Sequence, residues 1–245
     1  MNTKIEGLIL NKTPYQERHL ICHLLLRSGK KVSVLFYGGK GGGKNKKSSI
    51  LEIGHMIKVE LRRTKSNSEL YNAKEWNSVW IHDLIRSNHK AFYLLCLYLE
   101  IILKLSVFEN LHDEHAEHDE TTKGLFRVLS NAIFFLEKKL KENNFDIHFH
   151  LVIFLSKLLA EQGLFPDREK CVLSDMPLSE ISSLVLTPEH GGFADSSLVN
   201  SEESRIQNHG IADKELWFLL GHVMGMKYQE TRDFSIQNKE ISRIL

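Results

Sequence analysis

Cysteine, proline and long apolar runs are scarce in this chain of 245 residues, which has 3 cysteines and 4 prolines. Cys22, Cys96 and Cys171 are too few and too far apart for a disulfide framework, and the absence of any C-x-x-C excludes a cysteine-rich zinc site. The longest apolar run, residues 91–99, has nine residues, whereas a transmembrane helix needs about 20. No apolar block of a signal peptide follows the first methionine. We therefore expect a cytoplasmic protein that does not contact membranes.

Acidic side chains are few in the first third of the chain. Residues 1–80 contain 15 Lys+Arg against 6 Asp+Glu, a net charge of +9, whereas the remaining 165 residues have a net charge of −8. Such an asymmetry is typical of a segment that contacts a polyanion. The alternative is a basic face that contacts only solvent.

The first 80 residues alternate apolar and polar side chains with a period of two, as strands with one apolar face do. Strands are predicted over residues 4–11, 19–27, 31–37, 57–61 and 68–76. Turns are predicted at residues 13–15 and 28–30 and in the glycine-rich run 38–43. Five strands in so short a segment favour a small barrel, and the OB-fold is the common barrel of this kind that binds oligonucleotides.

The period becomes helical from about residue 80 onward. Apolar stripes at helical spacing cover residues 125–140, 151–159 and 216–224. The segment 90–107 is apolar on nearly all sides, which predicts the central helix of a bundle. Residues 164–210 have no sustained period. The expected fold class is α+β, with a five-stranded OB-fold barrel over residues 1–80 and a helical domain over residues 81–245 that contains an irregular insertion at about 164–210.

The glycine-rich run nearly matches the phosphate-binding loop G-x-x-x-x-G-K-[ST]. Asn45 stands where such a loop has a magnesium-binding hydroxyl, and a strand pattern follows where a helix should begin. We therefore interpret the run as a mobile loop and not as a nucleotide-hydrolase site. Its cations could contact a flexible phosphate backbone; they are Lys40, Lys44, Lys46 and Lys47.

Two further motifs point to chemistry but lack a necessary part. His112, His115 and His118 lie among acidic residues and could hold a metal, but residues at successive steps of three drift around a helix and converge poorly. The sequence H-G-G-F at 190–193 is similar to an oxyanion segment of some esterases, yet the chain contains no G-x-S-x-G. We therefore interpret the histidine cluster as part of a solvated acidic loop, with a metal site as the open alternative, and we expect no cofactor and no enzymatic activity.

Cationic and aromatic residues accompany the predicted strands. We expect a fixed track of cations beneath the loop, formed by Lys31, Lys58, Arg62 and Arg63. Tyr37 at the mouth of the loop is either a platform on which bases stack or a packing residue. Trp76 is interpreted as a core or interface residue.

Several segments follow one another in an order and spacing that has a counterpart in a known family. They are I-E-G-L-I-L at 5–10, Y-Q-E-R-H-L at 15–20, G-K-K-V-S at 29–33, the basic loop 38–47, L-L-A-E-Q-G-L-F-P at 158–166, Cys171, T-P-E-H-G-G-F at 187–193 and T-R-D-F at 231–234. Together they resemble the RecO family of bacterial recombination mediators over nearly the whole chain. The resemblance implies an OB-fold followed by a helical domain.

The resemblance also implies an activity and partners. It implies binding of single- and double-stranded DNA, annealing of complementary strands, and help in loading recombinase onto DNA coated by single-strand-binding protein. The implied partners are RecR and the C-terminal tail of single-strand-binding protein, which would dock on the helical domain. The implied location is the cytoplasm, at the nucleoid.

One departure from the family concerns zinc. Many members hold zinc with two C-x-x-C pairs in the insertion. Here Cys171 is present, but Ser174, Asp195 and Leu198 stand where the other three ligands would be. One thiol cannot form a tetrahedral zinc site, so we expect no zinc and an insertion held by packing alone.

Two alternatives of other classes remain at this point. A barrel with a basic loop also suits an RNA-binding or ribosome-associated factor, because phosphate contacts do not identify the sugar. A non-enzymatic adaptor whose basic face binds an acidic protein is the other alternative.

Overall fold

The computed structural model describes residues 3–40, 49–62, 69–109, 111, 124–199 and 217–223. By its internal contacts the chain forms two compact units, Met1–Ile147 and His148–Leu245. The elements of the first unit are β1 (Lys4–Tyr15), β2 (His19–Leu26), β3 (Lys31–Phe36), β4 (Met56–Leu61), β5 (Leu70–Trp80), α1 (Leu84–Ser87), α2 (His89–Leu105) and α3 (Gly124–Lys141).

The five strands close into a barrel in the order β1-β2-β3-β5-β4. All neighbouring pairs are antiparallel except β3 and β5, which are parallel. This closed Greek-key barrel is an OB-fold, as predicted. The predicted alternation places its apolar positions in the core, where Val34 and Phe36 of β3 and Cys22 and Leu24 of β2 are fully buried.

The first turn does not lie at residues 13–15 as predicted. Strand β1 continues to Tyr15, and Pro14 pairs with Leu20 of β2. The register of β1 with β4 extends only to Leu8, so Pro14 lies on a barrel edge where a residue without an N–H is tolerated. The chain turns at residues 16–18 instead, with Gln16 at a φ of 51°.

Helix α2 does not have the all-round burial that its composition predicts. One face is buried against α1, α3 and β1, and it includes Leu95, Tyr98 and Ile102. On the opposite side, Tyr93 is 70% exposed and Leu97 is 40% exposed. The predicted helix is present, but its described neighbours cover only one of its sides, so it is not the fully enclosed centre of a bundle.

The second unit contains the predicted insertion. Helix α4 (Ile147–Glu161) leads into it, and the strands β6 (Leu184–Thr187) and β7 (Gly192–Asp195) form an antiparallel hairpin. Residues 217–223 are helical up to the limit of the described segment. Phe193 and Leu184 of the hairpin pack in one apolar cluster with Ile153 of α4 and Leu220. The insertion is thus partly regular, with a hairpin that its sequence did not predict.

The division into domains of residues 1–80 and 81–245 stays a prediction. The first compact unit contains the barrel together with the helices α1, α2 and α3. None of the described helices combines the length and the apolar content that a bilayer-spanning helix requires.

Candidate nucleic-acid interface

An exposed aromatic ring lies between a cation and a histidine at one end of the barrel. Tyr37 directly follows β3 and is 45% exposed. The guanidinium carbon of Arg62 lies 5.6 Å from the centroid of the tyrosine ring, within the range of a cation–π contact. The His19 ring meets the Tyr37 ring edge to face, with the centroids 5.0 Å apart. These three residues are called the Tyr37 cluster below.

The members of the Tyr37 cluster lie at the ends of three strands. His19 begins β2, Tyr37 directly follows β3, and Arg62 follows β4, where its N–H donates to the Asn72 carbonyl of β5 at 2.8 Å. OB-folds bind oligonucleotides on the face of strands 2 and 3, between the loops that join strands 1 to 2 and 4 to 5. The three side chains lie where these parts of the barrel meet.

A backbone contact fixes the histidine of this cluster. The N–H of Gly38 donates to His19 Nδ1 at 3.0 Å. Gly38 has a φ of 72°, a conformation that glycine adopts readily, and it turns the chain directly after Tyr37. Because His19 Nδ1 accepts a hydrogen bond, the proton of the neutral ring is on Nε2.

Lys40 extends the cationic surface toward an open groove. It is exposed, and its backbone N–H donates to the Arg18 carbonyl at 3.1 Å, which joins the β3–β4 loop to the β1–β2 turn. The groove has a volume of about 420 Å³ and is lined by Lys12, Pro14, Leu20, Gly39, Lys40, Ser49, Leu51 and Glu52. The other predicted loop cations, Lys44, Lys46 and Lys47, lie outside the described residues, as does Arg63.

Lys58 lies on the polar face of β4, as predicted, but it is ion-paired. Its Nζ is 3.0 Å from Glu6 Oε1, and Arg27 is 3.2 Å from Glu6 Oε2. The hydrogen bond from Lys58, with help from Arg27 and against the effect of burial, holds the pKa of Glu6 below its ordinary value. Much of the positive charge of Lys58 is therefore balanced within the barrel.

Lys31 lies at the opposite end of β3 from Tyr37. A strand rises about 3.3 Å per residue, so the two residues are about 20 Å apart. The Lys31 ammonium donates to the Leu103 carbonyl in the last turn of α2 at 2.6 Å and lies 4.7 Å from the Phe108 ring centroid. Burial lowers the pKa of Lys31. The structure thus gives Lys31 a contact that ties the barrel to α2, and its assignment to a DNA-binding track stays a prediction.

Two other aromatic residues near the basic strands belong to the barrel core. Trp76 is partly buried against that core, with its ring centroid 5.2 Å from that of Phe36. Tyr71 is 4% exposed, and its hydroxyl accepts a hydrogen bond from the Leu111 N–H at 2.8 Å. The interpretation of Trp76 as a core residue is confirmed.

The sequence reasoning missed Arg18 and His19, which the structure places beside the predicted residues. No described carboxylate forms an ion pair with Arg18, Lys40 or Arg62. These three cations therefore differ from Lys58, whose charge is balanced by Glu6. The only signal available in the sequence was a basic residue within a tight turn, which also occurs on ordinary surfaces.

In the described part of the insertion, the residues around Cys171 do not form the donor set of a zinc site. Cys171 is 1% exposed, and its Sγ accepts a hydrogen bond from the Asp195 N–H at 3.4 Å. Although burial acts to raise it, hydrogen bonds from Ser174 and from nearby backbone N–H groups lower the pKa of the Cys171 thiol. The Asp195 carboxylate accepts from Ser197 N and Oγ at 2.9 and 2.8 Å, and Leu198 is 50% exposed.

No group of three His, Cys, Asp or Glu in the described parts of the chain is arranged to hold a metal. The cluster of His112, His115 and His118 lies outside those parts. In the described part of the insertion, the Cys171 thiol accepts a hydrogen bond and packs within an apolar cluster. The residues present therefore do not fit the zinc that many family members hold.

We expect the purified protein to contain less than one zinc per chain by elemental analysis, because three of the four expected thiols are absent. A chelator should leave its melting temperature unchanged, since metal release lowers stability only where metal stabilises the fold. The Cys171→Ser variant is the control and should have the same zinc content. One tightly bound zinc per chain would contradict the prediction.

Comparisons with known proteins extend over both compact units. No protein-family model matches the chain. A curated protein of Prosthecochloris aestuarii named DNA repair protein RecO is 24% identical over 213 residues, which cover 83% of this chain and 75% of its own. Another of the same name from Chlorobium phaeobacteroides is 26% identical over 200 residues, which cover 79% of this chain and 70% of its own. The chain is thus similar to proteins of the RecO family over most of its length, which supports the resemblance seen in its sequence.

Both relatives are named as DNA repair proteins, and neither name gives a catalytic activity. Among solved structures, a chain of the S. pombe Stn1-ten1 complex is 17% identical. The likeness covers 41% of this chain and 72% of that chain with a TM-score of 0.25, which is too low to support an argument.

Proposed function

We propose that this relative of the RecO proteins binds single- and double-stranded DNA through its barrel, anneals complementary strands and helps to load recombinase onto DNA coated by single-strand-binding protein. The observation that supports DNA binding most directly is the Tyr37 cluster. It combines an exposed ring and a cation at the edge where OB-folds bind oligonucleotides. The net charge of +9 over residues 1–80 supports the same conclusion.

The partners in this proposal come from the family resemblance. RecR and the C-terminal tail of single-strand-binding protein are the proposed protein partners, with the tail docking on the helical domain. DNA repair requires access to the chromosome, so the proposed location is the cytoplasm, at the nucleoid. A pull-down with RecR and with a peptide of the tail tests each partner separately.

The proposed DNA-binding cations differ in the intramolecular contacts that they must break in order to bind phosphate. Arg62 and Lys40 have no described carboxylate partner and can bind phosphate at little cost. Lys58 must exchange Glu6 for a phosphate, and Lys31 must leave the Leu103 carbonyl. The remaining proposed cations lie outside the described residues; they are Lys44, Lys46, Lys47 and Arg63. We therefore expect Lys40 and Arg62 to contribute more than Lys58 and Lys31.

Replacing the four loop lysines Lys40, Lys44, Lys46 and Lys47 by alanine should weaken single-strand binding similarly for all sequences, because phosphate contacts do not read bases. Removing one cation that binds phosphate lowers the slope of log K against log[salt] by about 0.7 for single strands, and four lysines of one loop seldom bind at once. The slope should therefore fall by about 1–2, measured by fluorescence anisotropy of a labelled oligonucleotide at several salt concentrations.

A control variant of equal charge change separates direct phosphate binding from net charge. It replaces four other lysines of the first unit by alanine. Lys74, Lys104 and Lys141 are paired with carboxylates, and Lys138 lies near the Phe135 ring. This variant should keep nearly the wild-type slope. If the loop variant keeps the wild-type slope and affinity, the loop is a solvated linker and its assignment to DNA is wrong.

A strand-annealing assay tests the proposed function as a whole. The purified protein should accelerate pairing of complementary fluorescent oligonucleotides well above the rate without protein. Competition between DNA and RNA strands of equal sequence separates this function from an RNA-binding one. The absence of a gel shift with any nucleic acid at modest salt would favour the adaptor instead.

A further inference from the structure

We infer that the Tyr37 cluster is a stacking site for one unpaired base, and that it makes this protein bind single strands in preference to duplexes. The inference rests on the proposed function and adds to it the chemical feature that is recognised. Tyr37 is only half covered, whereas Tyr71 of the neighbouring strand β5 is buried in the core. Arg62 lies over the Tyr37 ring, and the part of the ring that remains exposed offers a π-surface to a base.

The cluster is preorganised for such a contact. Its three members come from β2, from the end of β3 and from the start of the β4–β5 loop, so a rigid barrel sets their spacing. The Gly38 N–H holds the His19 ring, which in turn meets the Tyr37 ring edge to face at a centroid distance of 5.0 Å. Side chains fixed in this way lose little conformational entropy when a ligand binds.

The choice of ligand follows from what each nucleic acid can present. The base faces of a duplex are stacked on one another and are closed to a ring on a protein surface. An unpaired base has both faces open, and every base has a π-face, so stacking is tolerant of sequence. Arg62 adds a planar cation that can stack beside the same base or bind the adjacent phosphate. The groove beside Lys40 continues this surface for the strand.

The stacking site also bears on annealing. A base that pairs with its complement must leave Tyr37, because it cannot stay stacked on the ring within a duplex. The cluster therefore stabilises the separated strands on the protein and contributes nothing to holding the product. Phosphate contacts are available in both forms and hold either of them. A mediator with this arrangement releases duplex more readily than it releases single strands.

The variant Tyr37→Leu tests the site, since it keeps an apolar side chain and the charge but removes the ring. Affinity for oligo(dT) should fall about tenfold, and affinity for a duplex of equal length should change less than about twofold. The salt slope of single-strand binding should stay unchanged, because every cation remains. Tyr93→Leu is the matched control: this exposed tyrosine lies on α2, outside the cluster, and its replacement should change neither affinity.

A second variant gives a signal that weaker folding cannot mimic. In Tyr37→Trp the new indole should be quenched when oligo(dT) binds, beyond any change of the three native tryptophans in the wild-type protein, and it should not be quenched by duplex. Equal reductions of single- and double-strand affinity in Tyr37→Leu, or an unquenched indole, would overturn the stacking site. If the wild-type protein binds neither form, the proposed function itself has failed.

Discussion

Replacing Gly54 by alanine should lower the free energy of unfolding of the first unit by about 3 kcal/mol. Gly54 has a φ of 78°, which an L-residue with a side chain adopts only under strain. A Cβ atom there would lie 3.0 Å from His82 Nε2 and 3.1 Å from Leu95 Cδ2. His82 is 1% exposed and Leu95 is fully buried, so neither can move aside into solvent. Urea denaturation followed by circular dichroism measures the change in stability.

A second glycine separates backbone strain from packing in this prediction. Gly38 has a nearly equal φ of 72°, yet nothing lies within 4 Å of the position of its Cβ. Gly38→Ala should therefore cost only the backbone strain, about 1 kcal/mol. The difference between the two variants measures how tightly the loop before β4 packs against His82 and Leu95. Equal destabilisation in the two variants would show that this packing offers no resistance.

The strands of the barrel could be predicted because each has its apolar face encoded in alternating residues of one short segment. Val32, Val34 and Phe36 alternate with other residues, and β3 places all three in the core. The closure of the barrel followed from the number and length of the strands. The turn after β1 could not be predicted from Pro14, because the chain tolerates a proline wherever its missing N–H faces no partner.

The candidate site was only partly predictable, because its members meet through strand pairing. Tyr37 and Arg62 were each candidates, but their contact depends on the register of β3, β5 and β4, which no local pattern contains. His19 gave no signal, since its part in the site depends on strand pairing as well. Lys31 has the alternation of a track residue, yet alternation identifies a face of the strand and not which end of it meets a ligand.

A pair of buried histidines was also invisible in the sequence, because His55 and His82 are far apart along the chain. His55 is 3% exposed and His82 is 1% exposed, and their ring centroids are 4.8 Å apart. His55 Nδ1 lies 3.0 Å from the Ile50 carbonyl and His82 Nε2 lies 2.9 Å from the Ile53 carbonyl. A carbonyl only accepts, so these nitrogens carry the protons, and the other nitrogen of each ring has no described hydrogen-bond partner.

This pair should make the stability of the first unit fall when the pH drops below 6.5. Burial is the largest cause that lowers the pKa of both histidines from the ordinary value of 6.5. The charged groups that act on the pair are Glu52, Asp83, Arg86 and Glu137. Between 6.5 and the lower native pKa values the unfolded chain binds more protons than the folded one. The contribution is thus fully present above pH 6.5, and each histidine removes up to about 1.4 kcal/mol per pH unit below it.

The double variant His55→Asn with His82→Gln isolates this effect. The Asn amide stands near the place of Nδ1 and the Gln amide near that of Nε2, so both donors to the backbone carbonyls can be kept while the titration is removed. The free energy of unfolding is measured by urea denaturation from pH 7.5 to 5. It should decline less steeply with falling pH in the variant, because up to about two fewer protons are taken up on unfolding. His89→Gln, at an exposed position, is the control and should keep the wild-type slope.

This last prediction concerns the slope of the unfolding free energy against pH and not its absolute value. New amides in a packed core lower stability at every pH and so leave the slope unaffected. Burial also lowers the pKa of His23, but His23 is present in all of the variants and cancels from the difference. The contribution of Glu6 lies below its ordinary pKa of 4.5 and so falls outside the measured range. A double variant with the wild-type slope would mean that the two buried histidines bind protons equally well in the folded and unfolded chain.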